Sequence, residues 1–331
     1  MPGEDIRMNE PTNVPAALPD YDDLPIHQGV GLPHAWDVFG PDDDLGTVNL
    51  LTHAARRRGR DAIRSGLAIN LSLPLTEPNP PLFGRKPLRH TIYNLDRNTL
   101  DDSVDSLFPQ ASSQWDGLRH VRARQFGYYG GVTGDGDTGS FDTGPGRLGI
   151  EHWVEHGLAG RGVLLDIAGY LQSHDPGYDA LSPVIVTADD LRRTAEHQGL
   201  EIAAGDILCL HFGWVEAYRN LDEAGRNAYA ANIRHAGLEG SEDMARLLWN
   251  WHGAMLACDN PAVEVIPGDP AIGSLHRRIL PMLGFALGEM LDFSRLTREL
   301  KAAGRWDFMF TAVPLNLPGA IGSPANALAI L

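Results

Sequence analysis

The chain has 331 residues, 43% of them hydrophobic and 21% charged, which is ordinary for a soluble globular protein of one large domain or two smaller ones. Its formal net charge of −16 argues against nucleic acid or an anionic membrane as a partner, because both require a basic face. The polar N-terminus and the lack of a run of about 18 apolar residues predict neither a signal peptide nor a membrane span, so we expect a cytoplasmic protein.

The first half of the chain predicts an arm followed by short elements. Residues 1–25 show little periodicity and predict an N-terminal arm, compatible with exchange between subunits, ahead of a single domain over 26–331. Thr52 predicts the cap of a helix over 53–65. Strands are predicted over 67–75, 90–95 and 121–125, with a proline-rich loop over 76–90 and a mobile, glycine- and aspartate-rich loop over 130–149.

The second half alternates helices and strands. Helices are predicted over 150–157, 187–197, 221–235, 241–251, 273–281 and 292–302, and strands over 162–167, 207–212, 254–258 and 306–314. Because strands alternate with helices here but cluster in the first half, the pattern predicts a mixed α/β domain and not a regular doubly wound sheet.

Several familiar signatures are missing from the sequence. No GxGxxG follows a strand and opens a helix, and neither GxxxxGK[ST] nor GxSxG occurs. We therefore expect no nucleotide cofactor. The two cysteines, Cys209 and Cys258, each lie in an apolar run and predict buried free thiols, in preference to a disulfide or a nucleophile.

Residues 112–120 carry the densest group of functional side chains. Gln114, Trp115, Asp116 and His120 supply an amide, an indole, a carboxylate and an imidazole within seven positions. An indole is unusual in a solvent-exposed loop, and a group of polar and charged side chains is unusual in a packed strand. Asp116 and His120 could share a metal ion or a water molecule, or they could form a plain hydrogen bond within a loop.

A second pair of candidate residues lies far downstream. His276 and Glu289 flank an apolar run of about ten residues. A carboxylate in such a position is either exposed at a helix start or buried with a partner, because an unpaired buried carboxylate is costly. Sequence alone leaves both readings open for Glu289. For His211, at the end of a predicted strand, a core or loop role is favoured over metal ligation.

The order and spacing of several stretches resemble the cyclase and kynurenine-formamidase-like family of metal-dependent hydrolases. The resemblance runs from about residue 36 to residue 314 and rests on the stretches 40–52, 113–120, 161–166, 205–208, 259–264 and 275–289. It implies a swivelling β/β/α-type domain in which helices flank a central mixed β-sheet or barrel. It also implies a homodimer or homotetramer.

The metal motif of that family reads HxGTHxDxPxH, followed far downstream by a His and a Glu. Its first two His and its Asp hold one ion, the Asp with the distal His and Glu can hold a second, and its last His is the acid/base. The resemblance places the Asp on Asp116, the last His on His120, and the distal pair on His276 and Glu289.

This sequence departs from the motif at three positions. Gln110 and Gln114 stand where the family has its first two His, and Leu118 stands at the Pro. A neutral amide is a poor ligand for Zn²⁺ beside an imidazole. What the resemblance then implies is one divalent ion, Zn²⁺ or Mn²⁺, with ligands from Asp116, His276, Glu289 and either Gln114 or water. A chain that has lost the metal is the alternative.

The resemblance implies hydrolysis of an amide, lactam, lactone or related acyl bond in a small, aromatic substrate. His120 would take a proton from the attacking water and return it to the leaving group, while Asp116 ligates and orients. Trp115 and Tyr128 would form an apolar wall against the substrate. Two alternatives are a metal-free protein of the same fold that binds a small molecule, and a lyase or cyclase acting on a polyketide-like substrate.

Overall fold

The computed structural model describes residues 14–134 and 144–331. Its helices are α1 (His53–Asp61), α2 (Glu151–His156), α3 (Ile167–His174), α4 (Ala188–Gln198), α5 (Trp214–Arg219), α6 (Glu223–Ala231), α7 (Glu242–Asn250), α8 (Leu275–Leu283) and α9 (Ser294–Ala302). Its strands are β1 (Ala68–Asn70), β2 (Arg89–Asn94), β3 (Leu100–Asp105), β4 (Gln114–Asp116), β5 (Leu158–Asp166), β6 (Ile185–Val186), β7 (Ile207–His211), β8 (Gly237–Leu238), β9 (Met255–Cys258), β10 (Ala286–Glu289), β11 (Asp307–Ala312), β12 (Gly322–Pro324) and β13 (Ala327–Ile330).

Most strands of the described chain join one mixed sheet, in the order β1-β13-β11-β5-β7-β9-β10-β4-β12. The strands β5, β7, β9 and β10 run parallel in its centre, and antiparallel strands continue it on both sides. The central strands β7 and β9 are fully buried and, apart from His211, apolar, as parallel strands covered on both faces require. The predicted mixed α/β class is confirmed.

Local sequence signals account for many of the helix starts. The Thr52 side chain accepts the Ala55 N–H at the start of α1, and Thr187 with Asp190 forms a capping box at the start of α4. The helix α1 is shorter than the predicted 53–65. The two cysteines are free and buried, as predicted.

Two sequence-based expectations about strands were wrong. Residues 121–125 form no strand; they enter a tight turn closed by the bond from the Ala123 N–H to the Gly127 carbonyl, with Arg124 at φ 53°. The prediction also ended the sheet at 306–314, whereas β12 and β13 follow and are integral to it. Both are only three or four residues long and are rich in Ala, Gly and Pro, which gives them little strand signal.

The first residues described lie against the body of the same chain. The Tyr21 N–H donates to Asn250, Trp249 donates to the Pro19 carbonyl, and Arg246 pairs with Asp22. Residues 1–13 of the predicted arm and residues 135–143 of the predicted mobile loop lie outside the described residues. The division into an arm over 1–25 and a domain over 26–331 stays a prediction. In the described parts, no helix has the length and apolar character needed to cross a bilayer.

His211 ties the carboxyl ends of two neighbouring parallel strands together. It faces Asp166 in the register between β5 and β7, and its Nδ1 lies 2.9 Å from the Asp166 carboxylate. Burial alone would lower the pKa of His211, but Asp166 and the nearby Glu216 outweigh it and raise the pKa to about 10. The sequence-based preference for a core role over metal ligation agrees with this ion pair.

This ion pair predicts a pH dependence of stability. Because the pKa of His211 is higher in the folded chain than the ordinary 6.5, its contribution is complete below pH 6.5 and is lost as the pH rises to about 10. The free energy of unfolding should therefore fall across that interval, and fall less steeply in His211→Gln. Urea unfolding in chelator at several pH values measures both slopes; equal slopes for the two proteins would contradict the assignment.

Candidate active site

The site is built on the antiparallel pairing of β4 with β10. In this register Gln114 lies opposite Glu289, and Trp115 lies opposite Gly288. Because side chains alternate along a strand, Gln114 and Asp116 share one face and Trp115 takes the other. The Gln114 side chain donates a hydrogen bond to Glu289 across the two strands. Glu289 is therefore the buried, partnered carboxylate of the two readings that the sequence left open.

Helix α8 delivers the imidazole of this site. Glu264 accepts hydrogen bonds from the Leu275 N–H at 2.6 Å, the Ser274 hydroxyl at 2.9 Å and the His276 Nδ1 at 3.0 Å. It therefore caps the start of the helix and fixes the ring of His276 at the same time. A carboxylate only accepts, so Nδ1 carries the proton in this bond. The opposite nitrogen, Nε2, is directed at the carboxylates of the sheet.

Three potential ligand atoms converge in front of this imidazole. The His276 Nε2 lies 3.1 Å from a Glu289 oxygen and 4.0 Å from an Asp116 oxygen. One ligand atom from each of Asp116, His276 and Glu289 lies within 4.8 Å of the other two. Two carboxylates and an imidazole form a donor set suited to Zn²⁺ or Mn²⁺.

Unpartnered atoms in the described residues support this assignment. The Asp116 Oδ1 and the Gln114 Oε1 are buried and accept no hydrogen bond within the described chain. Buried polar oxygens are rarely left without a donor or a cation. The residues present therefore fit a divalent ion that Asp116, His276 and Glu289 would hold, and the Gln114 Oε1 is a further oxygen without a hydrogen-bond donor in the described chain.

The electrostatics of the site follow from burial and from charge pairing. Burial, together with the neighbouring Glu289, raises the pKa of Asp116 to about 6. Burial alone would lower the pKa of His276, but its hydrogen bonds to Glu264 and Glu289 outweigh it and raise the pKa to about 10. In the ion-free chain His276 thus serves as the counter-charge of the carboxylates, and a bound cation would displace its Nε2 proton.

His120 lies at the open side of this cluster. It follows Asp116 by four residues, and its Nε2 is 3.5 Å from an Asp116 oxygen. Its side chain is 29% exposed, whereas that of Asp116 is 1% exposed. The turn from the Gly117 carbonyl to the His120 N–H folds the chain back so that the ring lies beside the strand end. His120 can therefore reach both the cluster and a molecule that arrives from solvent.

Arg85 adds a positive charge near the carboxylates of the site. The sequence analysis did not predict this residue. Its Nη1 is buried and has no hydrogen-bond partner in the described residues. Burial lowers the pKa of Arg85, and the carboxylates of Glu289 and Asp116 oppose that effect. Leu82, three residues earlier, belongs to the same buried cluster as Met290, which follows Glu289. The proline-rich loop thus carries a cation to the site.

The remaining predicted site residues have different positions. Trp115 is fully buried on the opposite face of the sheet, where its indole N–H donates to the Ala325 carbonyl and its ring meets Phe310 edge-on. Trp115 therefore does not lie at the cluster. Tyr128 is half-buried against the main core, and its part in substrate binding stays a prediction.

Gly288 explains why the indole can occupy that position. A Cβ at Gly288 would lie 2.6 Å from the ring of Trp115, closer than side-chain atoms approach one another. The glycine in β10 is thus what allows β4 to pair here with a tryptophan across from it. Gln110, the other glutamine at a family His position, lies near Gly322 of β12, which is paired with Asp116.

The sequence matches a family model described as putative cyclase over residues 69–265, more than half of the chain. This chain belongs to the putative cyclase family. The predicted family resemblance is confirmed. No sequence match was found among the curated proteins compared with it.

Similar solved structures include a cyclase and isatin hydrolases. A protein described as a novel cyclase has a TM-score of 0.78 and 28% identity, with 90% of this chain and 99% of that chain covered. An isatin hydrolase bound to the product analogue thioisatinate has a TM-score of 0.54 and 16% identity, with 80% and 92% covered. Isatin hydrolase A from Ralstonia solanacearum has a TM-score of 0.54 and 15% identity, with 83% and 94% covered. The two isatin hydrolases share the fold.

Glu264 gives a specific prediction for this cyclase-family site. Glu264→Gln keeps the shape but removes the charge that holds the Nδ1–H of His276, so the affinity for Zn²⁺ or Mn²⁺ should fall by about 10- to 100-fold. Titration calorimetry measures that affinity. Glu223→Gln, an exposed carboxylate on α6, is the matched control and should bind as the unmodified chain does. Unchanged affinity in Glu264→Gln would contradict the positioning role.

Proposed function

We propose that this chain is a metal-dependent hydrolase of an amide, lactam, lactone or related acyl bond. The observation that carries the proposal is the convergence of Asp116, His276 and Glu289. The Oδ1 of Asp116 is buried and accepts no hydrogen bond from the described residues. A divalent ion held there, Zn²⁺ or Mn²⁺, supplies a Lewis acid that polarises a carbonyl and lowers the pKa of water. The donor set supports a single ion.

His120 is the proposed acid and base. Its partial exposure and its distance of 3.5 Å from the Asp116 carboxylate let it contact both the attacking water and the substrate. It would accept a proton from the water and then donate it to the leaving nitrogen or oxygen. Asp116 keeps the ring oriented, which is the usual role of a buried carboxylate beside a catalytic imidazole.

Arg85 is the proposed stabiliser of the developing oxyanion. The Arg85 Nη1 is buried and has no hydrogen-bond partner in the described chain, so it can donate a hydrogen bond to an oxygen that gains charge during attack. Arg85 interacts electrostatically with Glu289 and Asp116, so it adds a positive charge to a site in which Gln114 stands at a histidine position of the family motif. Arg85 would thus supply part of the charge that a second ion would otherwise provide.

A small aromatic substrate, such as a cyclic amide fused to a ring, is the substrate class we favour. A cavity of about 160 Å³ is lined by Lys86, the neighbour of Arg85 in sequence, and by Ser112, two residues before Gln114. Leu107 and Phe108 contribute apolar surface to it. Two structural neighbours are isatin hydrolases, and isatin is an aromatic lactam.

The first experiment combines metal content with turnover. The purified chain should contain about one divalent ion and hydrolyse at least one member of a panel of isatin, formanilide and aryl lactones. His120→Gln should keep the ion but lose about 10²- to 10⁴-fold in kcat. Glu289→Gln should lose both ion and turnover.

The controls separate chemistry from folding. His174→Gln removes an exposed imidazole on α3 and should behave as the unmodified chain. Each variant is checked by its melting temperature with and without Zn²⁺ or Mn²⁺. Full turnover in both His120→Gln and Glu289→Gln would contradict the mechanism. Turnover that chelator does not diminish would show that the reaction requires no ion. A chain that binds the panel without an ion and without turnover would be the metal-free alternative.

Arg85 predicts two effects of opposite sign. Because its charge competes with a cation for the carboxylates, Arg85→Gln should bind Zn²⁺ or Mn²⁺ at least as tightly as the unmodified chain. Its kcat should nevertheless fall by about 10²-fold or more, since the oxyanion loses a donor. Arg85→Lys should recover part of the loss. Weaker metal binding in Arg85→Gln, or unchanged kcat, would contradict the proposed role.

A further inference from the structure

An open cleft of about 590 Å³ is lined by two chain segments that each carry an imidazole of the active site. One is the turn that follows His120, and the other is the first turn of α8, in which Arg277 directly follows His276. A volume of this size is typical of sites that bind small molecules. We call it the arginine cleft, because its lining includes Arg122, Arg124, Arg277 and Arg278.

Positive charge prevails in the lining of the arginine cleft. Besides the four arginines, the charged side chains that line it are the two carboxylates of Glu264 and Asp269, in a chain whose net charge is −16. The carboxylate of Glu264 already accepts three hydrogen bonds, from the Leu275 N–H, Ser274 and His276. The field inside the cleft therefore attracts an anion.

Two of the arginines have guanidinium groups that can serve a ligand. Arg124 and Arg277 are exposed, and neither forms a hydrogen bond or an ion pair with another described residue. Arg278, by contrast, donates to the carbonyls of Gly240 and Ile272 at 3.0 Å each. Arg124 also has a φ of 53°, in the left-handed region that glycine adopts more readily, so the chain keeps a long cationic side chain at an unfavourable position.

Apolar side chains form another part of the cleft. Val30 and Leu32 are half-buried and pack against the main core, and the bond from the His27 N–H to the Leu32 carbonyl closes their turn. Val265 and Ile266 also line the cleft. Apolar walls with a few charged groups recognise a molecule that has an apolar body as well as a charge.

The arginine cleft is distinct from the metal cluster. Glu264 lines the cleft and accepts a hydrogen bond from Nδ1 of His276, whereas Nε2, on the other side of the same ring, lies near Glu289 and Asp116. The described residues that line the cleft include neither of these two carboxylates, nor Arg85. Glu264 and the ring of His276 therefore separate the two places.

We propose that the arginine cleft binds a small organic anion, namely a carboxylate attached to an apolar body. The carboxylate would accept hydrogen bonds from Arg124 and Arg277, and the apolar body would lie against Val30 and Ile266. Such a ligand would join the turn after His120 to the first turn of α8. This inference does not depend on the proposed reaction.

The first test concerns the chemistry of the ligand. Titration calorimetry in chelator, which keeps an ion out of the metal cluster, compares phenylacetate, phenylacetamide and inorganic phosphate as probes. Phenylacetate should bind with one molecule per chain. Phenylacetamide should bind about 10-fold more weakly or worse, because it lacks the charge that the guanidinium groups recognise. Phosphate should be weaker by a similar factor, because it has no apolar body.

The second test locates the bound anion. The double variant Arg124→Gln, Arg277→Gln should bind phenylacetate about 10-fold more weakly or worse, since both donors lose their charge. Arg193→Gln, an exposed arginine on α4, is the matched control and should bind as the unmodified chain does. Arg85→Gln should also bind normally, because that guanidinium belongs to the metal cluster. Melting temperatures establish that each variant is folded.

Each result decides the inference. Absence of saturable binding at millimolar phenylacetate would overturn it, as would equal affinities for phenylacetate and phenylacetamide. Phosphate that binds as tightly as phenylacetate would overturn the role of the apolar walls. Unchanged affinity in the double variant, or lost affinity in Arg85→Gln, would show that the anion binds outside the arginine cleft. These outcomes are independent of whether the chain hydrolyses any substrate.

Discussion

The pairing of β4 with β10 is the constraint on which the rest of the site depends. It brings Gln114 against Glu289 across a separation of 175 residues and leaves Asp116 one pleat away on the same face. A shift of one residue in the register of β4 would turn both polar side chains into the core and bring Trp115 to the face of the sheet that carries the site. Gly288 and the buried indole oppose that shift, because only this register gives the ring its space.

The charged groups of the site act as one unit. Glu264 fixes His276, His276 offsets the carboxylates, and Arg85 adds a second cation from a separate loop. A buried cluster of this kind is tolerable only when each charge has a counter-charge. Exchange of the His276 proton for a divalent cation adds one positive charge, so the carboxylates have a counter-charge in both the ion-free and the ion-bound chain.

Sequence predicted one part of this site and missed another for physical reasons. Asp116, His120, His276 and Glu289 could be named because the family motif fixes their order, and the structure brings them together. Arg85 could not be named, since it lies in a proline-rich loop without periodicity. The sequence placed Trp115 against the substrate, whereas its indole lies in the core. Because β4 is only three residues long, the alternation of its side chains could not be recognised from the sequence. The long buried strands β5 and β7 were readable from their apolar runs.

The position of β12 and β13 has a consequence for biosynthesis. β12 pairs with the strand that carries Asp116, and β13 lies between β1 and β11 inside the sheet. A ribosome must therefore synthesise the chain through residue 330 before the sheet can close. Until then the strand that carries Asp116 has one open edge, and its unpaired backbone groups are available to other strands. The face of the sheet that carries Asp116 is thus complete only after β12 has been synthesised.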